Sequence, residues 1–77
     1  MLITRIKDKL KTSHNIWLYH YDTPHNFGKR CNIIESTEGY TIWSDNKINF
    51  YHTLEELVNK HFKGIIIFED EIDEFPF

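Results

Sequence analysis

The sequence predicts a small α+β domain, in which a mostly antiparallel sheet is covered by one capped helix and preceded by a short N-terminal helix. Two observations predict it. Between residues 16 and 51, short runs rich in β-branched and aromatic residues are separated by turn-forming residues. After residue 53, apolar residues recur at helical spacing behind a capping signal. With 77 residues the chain has a small core, a size that favours a homodimer as added stabilisation.

The first ten residues predict a short basic amphipathic helix. Apolar residues with helical spacing form one side of it, and charged residues occupy the other side. A strand over residues 2–6 is the alternative, because so short a helix is marginal without packing. The apolar positions are Leu2, Ile3, Ile6 and Leu10, and the charged ones are Arg5, Asp8, Lys9 and Lys11.

Four strands are predicted next, the last three forming an antiparallel meander. The first strand, at residues 16–21, places three aromatic rings on one face. Turns rich in residues that tolerate tight backbone geometry occupy residues 36–39 and 45–47. The meander strands are predicted at residues 31–35, 40–44 and 48–51.

Two registers are possible for the last meander strand. A three-residue loop places Ile42 opposite Phe50 and, with Ile33 also opposite Ile42, forms one apolar row for a helix to cover. A two-residue loop places Ile42 opposite Asn49, which is a poorer core pair. We expect the first register, which leaves Trp43 and Tyr51 on the uncovered face.

The second helix has the clearest signals. Thr53 can cap it and Glu56 can reach back, so the helix is predicted to begin at Leu54 and to end before Gly64. Four apolar residues at 65–68 then predict a short strand buried on both faces. The apolar stripe of the helix comprises Leu54, Leu57, Val58, His61 and Phe62, and His61 is expected to be hydrogen-bonded at the edge of the core.

Charge divides the chain into a domain at residues 1–68 and an acidic tail at residues 69–77. The tail has five acids and no base, whereas the domain has nine bases and seven acids. Such asymmetry indicates an anionic partner at one end and either self-shielding or a basic partner at the other, and the alternative is ordinary solvated surface. Cys31 is the single cysteine, so a disulfide framework is excluded, and no apolar run approaches the roughly 18 residues of a membrane span. A cytoplasmic protein without membrane contact is expected.

The end of the sequence, DEIDEFPF, resembles the acidic tip of bacterial and phage single-stranded DNA-binding proteins; no family resemblance extends over the whole chain. The resemblance implies a docking peptide for a basic protein partner in replication or recombination. It departs from that family in Phe75 and in lacking a long linker. The alternative is that the apolar tail residues pack back onto the domain. The implied partner-binding residues are Asp73, Glu74, Phe75, Pro76 and Phe77.

A protein with such a tip is expected to bind single-stranded nucleic acid through rings that stack on bases and cations that contact phosphates. Trp43 and Tyr51 are the predicted stacking residues of the open face, with the rings of the first strand beside them. Aromatic residues in so small a domain can instead form the core, and the acidic tail can occupy the basic surface. The predicted phosphate contacts are Lys29, Arg30 and Lys47, followed by Arg5, Lys9 and Lys11.

No motif for catalysis, metal or a cofactor is found in the sequence. The five histidines form no ligand pair of known spacing, and there is no phosphate-binding glycine loop. We therefore expect a binding protein that is not an enzyme. Two functions remain open: a phage-like single-stranded DNA-binding protein with a docking tip, and a protein-binding inhibitor or adaptor that binds no nucleic acid.

Overall fold

In a computed structural model, which describes residues 2–21 and 28–74, the chain forms a five-stranded antiparallel sheet with both α-helices on one face. The predicted α+β class is confirmed. The strands lie in the order β4-β3-β2-β1-β5, so that β4 and β5 are the edges. The elements are α1 (Leu2–Thr12), β1 (Asn15–Tyr21), β2 (Lys29–Glu35), β3 (Tyr40–Ser44), β4 (Lys47–Tyr51), α2 (Leu54–His61), β5 (Ile65–Phe68) and a 3₁₀ helix (Glu69–Glu74), here called the acidic segment.

The core lies between the helices and one face of the sheet, which we call the covered face. Side chains alternate along each strand, so every second residue of β1, β2 and β3 points into this layer. α1 contributes Ile6 and Leu10, which confirms the helical prediction over the strand alternative. The fully buried side chains are Ile6, Leu10, Leu18, Cys31, Ile33, Ile42, Leu54, Leu57 and Phe68.

The ends of α2 confirm most of the predicted signals. The Glu56 N–H donates to the Thr53 hydroxyl oxygen at 3.2 Å, and the helix begins at Leu54. The Glu56 carboxylate accepts from the Thr53 hydroxyl, also at 3.2 Å. Beyond the last turn, Gly64 adopts a φ of 97°, a left-handed conformation that costs glycine little.

The register of β4 differs from the prediction. Asp45 and Asn46 have positive φ values of 53° and 63°, which form a two-residue turn of type I′. Ile42 therefore pairs with Asn49 and not with Phe50. The primed turn prevails because its twist matches that of the strands, and because Asn49 stays exposed opposite Ile42, so the pair does not bury its amide. The predicted pairing of Ile33 with Ile42 is confirmed.

The prediction that β5 is buried on both faces is wrong. β5 pairs with β1 alone and forms an edge of the sheet. Phe68 is fully buried on the covered face, but Ile65 is 58% exposed on the other face. The contiguous apolar run reflects an uncovered sheet face and not a central strand.

Candidate nucleic-acid interface

The face of the sheet opposite the helices, here called the open face, is aromatic and apolar. Direct strand pairing places Trp17, Asn32, Trp43 and Ile48 in one row across four strands. A parallel row contains Ile34, Thr41 and Phe50. Four large side chains stay at least two-fifths exposed on this face: Ile34 (41%), Phe50 (45%), Ile65 (58%) and Ile48 (70%).

The two tryptophans meet over a buried amide at the centre of this face. Their ring centroids are 5.9 Å apart with an interplanar angle of 70°, an edge-to-face contact. Asn32 lies between them in the row and is only 5% exposed. Its Nδ2 donates to the Ile16 carbonyl at 3.0 Å and to Asn15 Oδ1, so the amide is satisfied beneath the rings. The two half-buried rings therefore pack on an amide whose position is fixed by hydrogen bonds.

The Arg30 guanidinium is stacked on the ring of Trp17. The Arg30 guanidinium carbon lies 3.8 Å from the centroid of the Trp17 ring. Glu69 accepts two hydrogen bonds from it, one from Nε at 3.0 Å and one from Nη2 at 3.1 Å. This hydrogen-bonded carboxylate raises the pKa of Arg30 above its usual range. Arg30 is therefore a permanent positive charge that the acidic segment already neutralises.

The acidic segment also binds the cations of α1. Asp70 pairs with Lys9 at 2.9 Å, and Glu71 pairs with Arg5 at 2.7 Å. Both cations lie over the Phe68 ring, each 4.7 Å from its centroid. Three of the predicted phosphate contacts, Arg5, Lys9 and Arg30, are thus paired to acids of the predicted tail. Exposed ion pairs are weak, so a strong competing anion can displace them.

A groove of about 410 Å³ lies between this segment and the row of rings. It is bounded by the last turn of α1, the start of β1 and the first two acids of the segment. Its lining places the Lys9 ammonium group and the carboxylates of Glu69 and Asp70 beside the Trp17 ring. The lining residues are Lys9, Thr12, Ser13, Asn15, Ile16, Trp17, Glu69 and Asp70.

Of the predicted nucleic-acid residues, the open face holds Trp43 and Arg30. The placement of Tyr51 on that face is wrong, because the two-residue turn moves Tyr51 to the covered side opposite Tyr40. Lys29 and Lys47 also lie on the covered side, at the rim of the sheet, in line with His20 and Ser44 respectively. Lys29 pairs there with Asp45 at 3.1 Å.

Tyr51 belongs instead to a polar cluster at the rim of the core. Its hydroxyl is hydrogen-bonded to His61 Nε2 at 2.8 Å, as expected for a core-edge histidine. Burial, and to a lesser extent His20, lowers the pKa of His61. The Nε2 atom of His20 lies within hydrogen-bond distance of both backbone polar groups of Lys63, 3.1 Å from the nitrogen and 2.5 Å from the carbonyl oxygen, which ties β1 to the residues after α2. The hydrogen bonds of this cluster join separate elements of the fold, so its role is structural.

No side-chain geometry is described for the predicted partner-binding residues. Phe75, Pro76 and Phe77 lie outside the described residues, and Asp73 and Glu74 belong to the acidic segment by their backbone alone. The docking tip stays a prediction.

Ile48 and Phe50 are members of the open face that the predicted register of β4 leaves out, because that register is shifted by one residue. The adjacent Asp45-Asn46 pair was the available signal, since both residue types tolerate the positive φ that a type I′ turn requires. Glu69 could not have been matched to Arg30, because the two are 39 residues apart.

No protein-family model, curated protein or solved structure matches this chain. Within residues 2–21 and 28–74, neither α-helix has the length and apolar content needed to cross a bilayer. In the same ranges, no three histidine, cysteine or acidic side chains are grouped closely enough to hold a metal ion.

Proposed function

We propose that the protein binds single-stranded nucleic acid on the open face of its sheet. The observation that carries the proposal is the cluster of Arg30, Trp17 and Trp43, in which a permanent cation lies 3.8 Å from one ring and the centroid of the second ring is 5.9 Å from that of the first. Proteins that bind single strands without sequence preference combine rings for base stacking with cations for the phosphates.

In the proposed complex, the residues of this cluster have different tasks. Trp43 is half-buried and lies beside the exposed Ile48, so a base can stack on the Trp43 ring or pack against Ile48. At Arg30, a phosphate can replace the Glu69 carboxylate on the same two guanidinium donors. Binding therefore competes with the acidic segment for Arg30.

The proposal also predicts that the affinity for single strands depends only weakly on salt concentration. Lys29 and Lys47 lie on the covered side, and Arg30 is the one lysine or arginine that the described strands place on the open face. Affinity for single strands should therefore fall with salt by a slope of only about −0.7 to −2, one to three phosphate contacts in size.

Fluorescence anisotropy with a labelled oligothymidine tests the proposal. Trp43→Ala should weaken binding by roughly 5-fold to 150-fold, the loss of about 1–3 kcal/mol of stacking. Arg30→Gln should weaken binding, whereas Lys47→Gln removes the same charge from the covered side and should have little effect. Absence of binding up to roughly 100 μM, the weak end of non-specific binding, would contradict the proposal.

The competition is tested by removing one carboxylate. Glu69→Gln should strengthen oligothymidine binding, because it releases Arg30 while leaving the rings unchanged. The matched control is Glu55→Gln, which breaks a pair with Lys7 at 3.3 Å on the helical side of the molecule and should leave the affinity unchanged. An equal gain in both variants would indicate a general charge effect and not competition at Arg30.

A second candidate is a protein-binding inhibitor or adaptor that does not bind nucleic acid. The observation that favours it is the pairing of Arg5, Lys9 and Arg30 with acids of the same chain, which leaves little net positive charge around the acidic segment. Residues 73–77 would then dock on a basic protein partner, as the resemblance of the tip implies. Failure of every oligonucleotide titration, with a folded wild-type chain, would favour this candidate.

A further inference from the structure

Strand β4 presents an unpaired edge with two large apolar side chains. It is hydrogen-bonded to β3 on one side, and no described strand lies on its other side. Ile48 is 70% exposed and Phe50 is 45% exposed, and four of the five residues of the strand are exposed. An edge of this kind is a template for a further strand unless charge, proline or a bulge blocks it.

The turn before β4 determines which backbone groups face outward. A two-residue turn closes on a hydrogen-bonded pair, here Ser44 with Lys47, and hydrogen-bonded and non-hydrogen-bonded pairs then alternate. Ile48 and Phe50 consequently occupy non-hydrogen-bonded positions relative to β3. Their N–H and C=O groups point to the free edge.

We propose that two copies of the chain form a two-fold dimer by antiparallel pairing of β4 with β4 about Asn49. In this register Ile48 of each copy lies opposite Phe50 of the other, so both outward-facing residues pair within the strand. A register centred on Ile48 would place Phe50 opposite Asn46 of the turn, and one centred on Phe50 would place Ile48 beyond the strand, opposite His52. With Asn49 at the centre, the outward-facing N–H and C=O groups of both Ile48 and Phe50 form hydrogen bonds with the second copy.

Charge is compatible with this pairing. Lys47 is the single charged residue of β4, and in the dimer it lies opposite Tyr51 of the second copy. The two Lys47 side chains are then about 13 Å apart along the strands, beyond the Debye length of about 8 Å. Each points toward the end of the second copy's strand where α2 begins, and the first turn of α2 carries Glu55 and Glu56. The strand ends are thus complementary in charge.

The dimer would contain one sheet of ten strands with both open faces on the same side. Ile48 and Phe50 of the two copies would form a single apolar patch over the two-fold axis, flanked by the two Trp43 rings. This inference does not depend on nucleic-acid binding.

Sedimentation velocity on the full chain tests the dimer. The wild-type protein should change with concentration from the 9.4 kDa monomer to twice that mass. Ile48→Lys should remain monomeric, because the charge lies at the edge, and its far-ultraviolet circular dichroism should stay that of the wild type. The matched control is Ile34→Lys, two strands away on the same face, which should still dimerise. Loss of the dimer in both variants would indicate face-to-face packing and overturn the edge pairing.

Cysteine substitution tests the register. In the proposed dimer the two Asn49 residues form a non-hydrogen-bonded pair with Cα atoms about 4.5 Å apart, within the range of a disulfide. Asn49→Cys should therefore oxidise to a linked dimer, and Lys47→Cys should not. The wild-type chain controls for Cys31, which is 1% exposed. A wild-type chain that stays monomeric up to about 1 mM, or equal linking through both cysteines, would contradict the proposal.

Discussion

The two faces of the sheet are made of alternating residues of the same strands, yet they differ in what supports them. On the covered face Leu18, Ile33 and Ile42 are completely buried beneath the helices. On the open face Ile34 and Ile48 keep 41% and 70% of their surface exposed. Burial is complete at the centre of the covered face and only partial on the open face, so the covered face accounts for most of the stability of the single chain. The exposed apolar residues of the open face contribute less to this stability, and we propose that they serve binding.

The sharpest test compares neighbours in β2. Ile33→Ala should lower the free energy of unfolding by about 2–5 kcal/mol, because it leaves a cavity in the core. Ile34→Ala removes the same atoms from the open face and should cost less than about 1 kcal/mol. Urea denaturation with unchanged m-values measures both. Similar losses would show that the open face is covered in the native protein.

The next test concerns the turn that distributes residues between the faces. Asn46→Val places a β-branched residue at a φ of 63° and should cost about 1–2 kcal/mol. Asn46→Gly accepts that conformation and should keep the stability close to that of the wild type. If thermal unfolding shows Asn46→Val to be neutral, the two-residue turn is wrong, and Ile48 and Phe50 do not belong to the open face.

A smaller effect is expected at the start of α2, which covers one face only. Thr53→Ala removes the hydroxyl that accepts from the Glu56 N–H and should cost about 1 kcal/mol. Thr53→Asp supplies another good cap and should retain most of the stability. Denaturant titration measures the difference. A matching loss in Thr53→Asp would assign the effect to packing and not to the cap.

The smallest effect concerns pH and the rim of the covered face. The pKa of His61 is lowered in the folded chain, so the unfolded chain takes up its proton first as the pH falls. The contribution of His61 is complete above about pH 6.5 and decreases below it. The melting temperature should therefore fall between pH 7 and pH 5, and His61→Gln should flatten that decline. An unchanged slope in His61→Gln would assign the decline to other groups.

Much of the fold could be predicted because its signals are local. The apolar spacing in residues 2–10 predicted α1, and Thr53, Glu56 and Gly64 predicted the limits of α2. Alternating residues predicted the strands of the meander. Each of these signals lies within one or two turns of the chain, where periodicity and capping act.

The candidate site was predicted less well because it depends on register. Trp43 was placed correctly on the open face, but Tyr51 was not, and Arg30 was predicted as a phosphate contact without a face. A change of one residue in a turn moves every following side chain to the other face. Core pairing favours Phe50 as the partner of Ile42, but the turn at Asp45 and Asn46 prevails and places an exposed Asn49 in that position.

By itself, then, the sequence determined which segments are helix and strand, the meander order, and the separation of charge between domain and acidic tail. The tertiary structure decided which residues share the open face and which acid meets which base. The physical reason is distance along the chain. Helical spacing and caps act between residues three or four apart, whereas the contact of Arg5 with Glu71 joins residues 66 apart and exists only once the sheet has brought them together.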